Sequence, residues 1–81
     1  MMRKFDNDKM MEMGKAVELL RHLFDGLADE GTLIDIFGML DTCRGDLIIV
    51  RINNAQYEVN VTCENVRSMV RSVVNAVVLK I

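Results

Sequence analysis

Apolar residues recur every three or four positions through the first third of the chain. They are Met10, Met13, Val17, Leu20, Phe24 and Leu27. This spacing puts them on one face of a helix, with Asp6 as a plausible N-cap. The pattern predicts a helix over about residues 7–28, which either docks on the chain's own core or pairs with a second copy as a coiled coil.

Residues 47–62 have a different period, because apolar and polar positions there alternate in two β-branched runs. Asn53 and Asn54 lie between the runs, and asparagine tolerates the left-handed backbone of tight turns. The alternation predicts a β-hairpin with strands at about 47–53 and 57–62.

The hairpin register is predicted from the condition that the apolar side chains lie on one face of the sheet. That condition pairs Ile52 with Tyr57, Val50 with Val59 and Ile48 with Val61. On the opposite face it sets Arg51 across from Glu58 as a cross-strand ion pair.

The segment before the hairpin is ambiguous. Thr32 is a capping residue, Gly45 is a typical residue after a helix end, and the apolar residues between them fit a short helix at about 33–44. Ile34 and Ile36 flanking Asp35 fit a third strand instead. The helix is favoured because Thr32 and Gly45 are both typical of helix ends.

Thr62 is suited to cap a last helix over about residues 63–78. Val66, Met69, Val70, Val73, Val77 and Ile81 recur there at helical spacing. Because valine favours strands, residues 76–81 could alternatively leave the helix and add a strand to the sheet. The elements together predict a small α+β fold, a β-hairpin packed by helices, in a single domain over residues 1–81.

Composition and charge indicate the cellular location of this fold. The chain is 51% hydrophobic and has a net charge of −2, with two cysteines and no proline. Asp6 and Asp8 interrupt the region where a secretory signal would be apolar, and Arg67, Arg71 and Lys80 interrupt the longest apolar stretch, which is too short for a membrane span. We therefore expect a cytoplasmic protein with no membrane segment and with reduced thiols.

Cys43, Cys63 and His22 are the residues best suited to chemistry. The predicted register brings both thiols to the open end of the hairpin, where they could be core residues, a redox pair or half of a metal site. Zinc needs further ligands, and the chain has one histidine and no Cys-x-x-Cys spacing. We expect buried core cysteines, an exposed His22, and no metal, cofactor or catalytic residue.

The favoured function is a non-enzymatic protein-interaction or regulatory module that self-associates through the first helix or an exposed strand edge. Candidate surface residues are Met10, Met13, Val17, Arg51, Glu58, Arg67 and Arg71. An alternative is an acidic inhibitor that mimics nucleic acid and blocks a nucleic-acid enzyme. Its phosphate-mimicking acids would be Asp6, Asp8, Glu12, Glu18, Asp25, Asp29 and Glu30. A third is a thiol enzyme or redox sensor that uses Cys63. An acidic chain without a basic cluster is a poor nucleic-acid binder.

Overall fold

A computed structural model describes residues 2–78 of the chain, and side chains from residue 8 onward. Within these residues the elements follow in the order α1 (Met2–Leu27), β1 (Ile34–Thr42), β2 (Gly45–Ile52), β3 (Ala55–Asn60) and α2 (Val66–Val77). The strands form one antiparallel sheet in the order β1-β2-β3. The predicted α+β class, with a hairpin packed by helices, is confirmed.

The segment before the hairpin is strand β1, so the preferred helix at 33–44 is wrong and the alternative third strand is confirmed. Burial alternates there as in a strand that packs on one face, with Asp35 exposed and Ile36 buried. Gly45 does not end a helix. It lies at the turn into β2 with a φ of 102°, a conformation that glycine adopts without steric cost.

β2 and β3 form the predicted hairpin, but their register differs by two residues from the prediction. Val50 lies opposite Tyr57 and Ile52 opposite Ala55, because the chain turns on two residues rather than four. The first of them, Asn53, has a φ of 54°. A shift of two residues keeps every side chain on its predicted face, since side chains alternate with a period of two.

The shifted register separates Arg51 from Glu58, so the predicted ion pair between them is wrong. Arg51 lies opposite Gln56 and donates to its Oε1 at 3.3 and 3.2 Å. Glu58 instead pairs with Arg44 at 2.6 Å.

Helix α1 begins at Met2, so Asp6 lies within the helix and is not its N-cap. The buried residues of α1 are Met13, Ala16, Val17, Leu20 and Phe24. Met10 and Leu27, at the two ends of the predicted apolar face, are exposed. The middle of that face therefore packs on the chain's own core.

Helix α2 begins later than predicted, at Val66. Its N-cap is Asn65, whose side chain accepts a hydrogen bond from Ser68 N at 2.8 Å. Thr62 is not the cap, because its hydroxyl accepts from Asp46 N at 3.0 Å. The helix continues to Val77, which removes the strand alternative for residues 76 and 77, and residues 79–81 lie outside the described part. Within residues 2–78, neither helix combines the length and apolar character needed to cross a bilayer.

The two helices cover one face of the sheet. The core joins Ile36, Ile48, Val50, Ile52 and Val61 of the sheet side to Met13, Leu20, Phe24, Met69, Val73 and Val77 of the helices. α1 approaches β1 closely at Gly38, where a Cβ atom would lie 2.5 Å from both Cγ and Sδ of Met13. A glycine at this position lets the helix reach the strand.

The opposite face of the sheet is covered by its own side chains. Leu47 and Ile49 of β2 are buried there, and the register places Phe37 of β1 and Glu58 of β3 on either side of Ile49. The Arg51 guanidinium lies 5.5 Å from the centroid of the Phe37 ring, within cation–π range. Long flanking side chains thus shield the apolar residues of the central strand.

Candidate functional site

A groove separates the C-terminal part of α1 from the beginning of β1. Its cavity volume is about 460 Å³, and Arg21, His22 and Asp25 of α1 face Ile34 and Asp35 of β1 across it. Helical side chains thus form one wall of the groove, and a strand edge forms the other wall. We call this feature the acidic groove.

The strand edge in the acidic groove has a defined pattern of backbone groups. Asn53 N donates to Leu33 O at 2.8 Å, and bonded pairs alternate with non-bonded pairs along an antiparallel ladder. The backbone N–H and C=O groups of Ile34, Ile36 and Gly38 consequently point away from β2. Among residues 2–78, no strand pairs with this outer side of β1.

Arg21 occupies one position on that edge. Its Nε and Nη2 donate to the Ile36 carbonyl at 3.1 and 2.8 Å. Covering an outward carbonyl with a cationic side chain limits uncontrolled pairing of an edge strand. The part of the edge next to Ile34 stays open within the described residues.

Carboxylates give the acidic groove its charge. Asp25 and Asp35 line it, and Asp29 and Glu30 lie in the exposed loop that follows α1. The ion pairs among the described side chains are Lys9–Asp41, Lys9–Asp46 and Arg44–Glu58. The four carboxylates therefore have no salt bridge in that part of the chain. Their charge exceeds that of Arg21 and of Arg51, which lies opposite Asp35 in the β1–β2 register.

A second surface runs along another side of α1. Leu19, Leu23 and Leu27 recur every four residues and are 53%, 41% and 48% exposed. Leu19 borders a shallow pocket that Val66, at the start of α2, also lines. We call these three residues the leucine stripe. It lies beside the buried face of α1, and the chain's own core leaves it partly in water.

A polar cluster ties the N-terminal half of α1 to the β1–β2 turn. Lys9 Nζ lies 2.9 Å from Asp41 Oδ1 and 3.3 Å from Asp46 Oδ2. The Asp46 carboxylate is buried, and its Oδ1 also accepts a hydrogen bond from Asp41 N at 2.9 Å. Asp41 itself has a φ of 57°, which is uncommon outside glycine, asparagine and aspartate. The cluster thus holds an unusual backbone turn in place.

The Lys9 ammonium is expected to stabilise the fold in a pH-dependent way. Its hydrogen bond to Asp41 raises the pKa of Lys9 above the ordinary value of 10.5, and Asp46 adds to this effect against partial desolvation. A raised pKa in the folded state contributes stability that is complete below pH 10.5 and is lost as the pH rises through the raised value. We expect Lys9→Met to be less stable than the wild type at neutral pH and equally stable at strongly alkaline pH.

Chemical denaturation at a series of pH values checks this expectation. Lys15→Met is the matched control, because Lys15 is on the same helix and forms no salt bridge among the described side chains. A stability difference between Lys9→Met and the wild type that stays constant up to strongly alkaline pH would contradict the role given to Lys9.

Of the predicted surface residues, Met13 and Val17 are buried in the core, whereas Met10 is 61% exposed. Arg67 and Arg71 are exposed on α2, and Arg51 and Glu58 contact neighbours on the outer sheet face. The structure therefore does not bring these residues into one surface. The sequence signal for the leucine stripe was present, since Leu19 and Leu23 lie just outside the heptad positions.

The prediction that both cysteines are core residues is wrong. Cys43 and Cys63 are free and exposed, because each lies in a turn rather than in a strand or helix. Cys63 has a φ of 62° and borders a cavity of about 280 Å³ with Lys9, Asp46 and Glu64. His22 is exposed, as expected.

Comparisons with known proteins give no relative to guide assignment. No family model, curated protein or solved structure matches the chain. Among the described residues, no group of three or more histidine, cysteine or acidic side chains is arranged to hold a metal ion. The acidic groove, the leucine stripe and the Lys9 cluster are therefore the features of the described chain that bear on function.

Proposed function

We propose that this chain is a small, non-enzymatic protein-interaction or regulatory module that acts in the cytoplasm and self-associates through α1. The observation that carries the proposal is the leucine stripe. A helix that packs on a core needs one apolar face, and α1 has this face in Met13, Leu20 and Phe24. The three leucines beside it are a second apolar surface, of the kind that marks interaction sites.

A second copy of the chain suits the leucine stripe because the stripe is symmetric about Leu23. In an antiparallel pair of α1 helices related by a two-fold axis, Leu19 of one copy meets Leu27 of the other. The same arrangement brings Lys15 of one copy towards Asp29 and Glu30 of the other. Apolar contact and charge are therefore both self-complementary.

The expected dimer is weak. Completing the burial of six half-exposed leucines contributes about 1–1.5 kcal/mol each, and association costs at least about 4 kcal/mol in lost translational and rotational freedom. The surplus is at most about 5 kcal/mol, which corresponds to a dissociation constant no tighter than about 0.2 mM. We therefore expect the mass of the protein in solution to rise only at high concentration, as in a reversible regulatory contact.

The polar residues support a non-enzymatic role. Lys9, Asp41 and Asp46 bond to one another, as groups in a structural tie do. Cys63 shares a cavity with Lys9 and Asp46, but the Lys9 ammonium is paired with carboxylates and is protonated at neutral pH. It is therefore a poor general base for a thiol.

Sedimentation equilibrium of the wild type and of Leu23→Gln/Leu27→Gln tests the proposal. We expect the wild-type mass to rise with concentration, and the double variant to remain monomeric because it removes apolar area from the centre of the contact. Met11→Gln is the matched control, since Met11 is 59% exposed on the same helix but lies away from the stripe.

Two results would contradict self-association through the leucine stripe. One is a wild type that stays monomeric at millimolar concentration. The other is a Met11→Gln variant that dissociates as completely as the stripe variant. Circular dichroism of each variant establishes that the fold is intact.

A further inference from the structure

The open end of the β1 edge has the hydrogen-bonding groups that an extended peptide requires. The N–H and C=O of Ile34 and the N–H of Ile36 point into the acidic groove, while Arg21 covers the Ile36 carbonyl. An added strand gains affinity from main-chain hydrogen bonds of this kind. Arg21 limits the length of such a strand, so the groove fits a short segment rather than a full strand.

The floor and mouth of the acidic groove can hold side chains as well. The cavity is large enough for a few residues of extended chain. Leu33 at its mouth is 75% exposed, which offers apolar contact to one side of an incoming segment. α1 forms a wall opposite the strand, so an occupant would be enclosed between a helix and a sheet edge.

Charge identifies the occupant. Asp25 and Asp35 line the groove, and Asp29 and Glu30 lie in the exposed loop between two of its lining residues, Ala28 and Thr32, all without a salt bridge among the described side chains. We propose that the acidic groove binds a short, extended, lysine- or arginine-rich segment of a partner protein, which adds to the β1 edge as a fourth strand. Its cations on the helix side meet Asp25 and those on the outer face of the sheet meet Asp35, while its backbone pairs with Ile34 and Ile36.

The same charge argues against a second copy at this edge. Pairing β1 with β1 of another copy would bring two acidic grooves together, and like charges across a strand pair are destabilising. The sign of the charge also disfavours nucleic acid. The peptide site and the leucine stripe lie on different sides of α1, so each can be tested without the other.

The test uses an acetylated heptapeptide of lysine, which presents cations on both faces of an extended strand, labelled for fluorescence anisotropy and titrated at low ionic strength. We expect saturable binding to the wild type, with the largest amide chemical-shift changes at Ile34 and Ile36. Removing two exposed charge partners in Asp25→Asn/Asp35→Asn should weaken the affinity about five- to tenfold. The control Asp8→Asn/Glu18→Gln changes net charge equally on exposed α1 positions outside the groove, and should bind within about twofold of the wild type.

A second pair of peptides tests the backbone contacts without changing the protein. The same heptapeptide methylated on alternate backbone nitrogens loses its donors but keeps its charge, and we expect it to lose most of its binding in at least one of the two methylation registers. A glutamate-for-lysine peptide should not bind. Three results would each overturn the proposal. The methylated and unmethylated peptides could bind with equal affinity, or the control variant could lose as much affinity as Asp25→Asn/Asp35→Asn. The third is a set of chemical-shift changes centred away from residues 33–36.

Discussion

Replacing Gly38 by alanine is expected to lower the free energy of unfolding by about 2 kcal/mol, the cost of inserting a methyl group into a packed interface. The new Cβ would lie 2.5 Å from Cγ and Sδ of Met13. Cγ can move only if χ1 changes, and the choice of χ1 is restricted in a helix. Met13 is buried, so either its rotamer or the distance between α1 and β1 must change.

Gly14→Ala is the matched control, and its effect should have the opposite sign. Nothing lies within 4 Å of a Cβ at Gly14, and alanine in the interior of a helix is more favourable than glycine by about 1 kcal/mol. Denaturant unfolding of the two variants should therefore move their midpoints in opposite directions.

A double-mutant cycle identifies Met13 as the cause of the Gly38 effect. Met13→Ala alone should cost about 3 kcal/mol through the cavity that it leaves. In the Gly38→Ala background it should cost much less, because the alanine methyl occupies part of that cavity and no longer clashes. Additive effects of the two substitutions would show that α1 does not approach β1 at this point.

The tight packing at Gly38 also explains why the sequence pattern favours a helix where the structure has β1. Gly38 interrupts the alternation of apolar and polar residues after Ile36. From the sequence pattern alone, this interruption cannot be distinguished from the end of a strand. In the structure the missing side chain is replaced by Met13 from α1. The end signals at Thr32 and Gly45 suited a helix, but their residue types are equally suited to the loop before β1 and the turn after it.

The hairpin shows what a period of two can and cannot determine. Alternation identified the strands and the face of each side chain, both of which are confirmed by the buried Ile48 and Val50. It could not distinguish two registers that differ by two residues, because both place the same residues on the same face. The turn decides between them, and two asparagines in succession fit a two-residue turn as well as a longer loop.

The candidate sites were less accessible to sequence reasoning than the fold. The acidic groove exists because β1 is an edge strand, and the order of strands in a sheet cannot be predicted from the local sequence pattern. Arg21 reaches the Ile36 carbonyl from the flank of α1, a contact between residues that no spacing rule connects. The cysteines were expected to be buried on the basis of residue type, whereas their exposure follows from the turns in which they lie.

The buried carboxylate of Asp46 should be the most sensitive polar group in the chain. Asp46→Ala removes the acceptor for Asp41 N, and an unsatisfied donor in a part-buried site costs about 1–3 kcal/mol. It also leaves the Lys9 ammonium with one carboxylate instead of two. We expect a loss of up to about 3 kcal/mol in the free energy of unfolding, most of it from the unsatisfied donor, because Lys9 is half-exposed and its contact adds little.

Burial rather than charge is the cause of this sensitivity, and two asparagine variants separate the two effects. Asp41→Asn and Asp46→Asn each remove one charge that faces Lys9, but the Asp41 side chain is 73% exposed and that of Asp46 is 7% exposed. An exposed pair contributes about 0.2–1 kcal/mol, and asparagine tolerates the positive φ at position 41. Denaturant unfolding should therefore show a small loss for Asp41→Asn and a larger one for Asp46→Asn. If Asp46→Ala proves no more harmful than Asp41→Asn, the carboxylate does not hold the β1–β2 turn, and the fixed position of α1 must come from apolar packing alone.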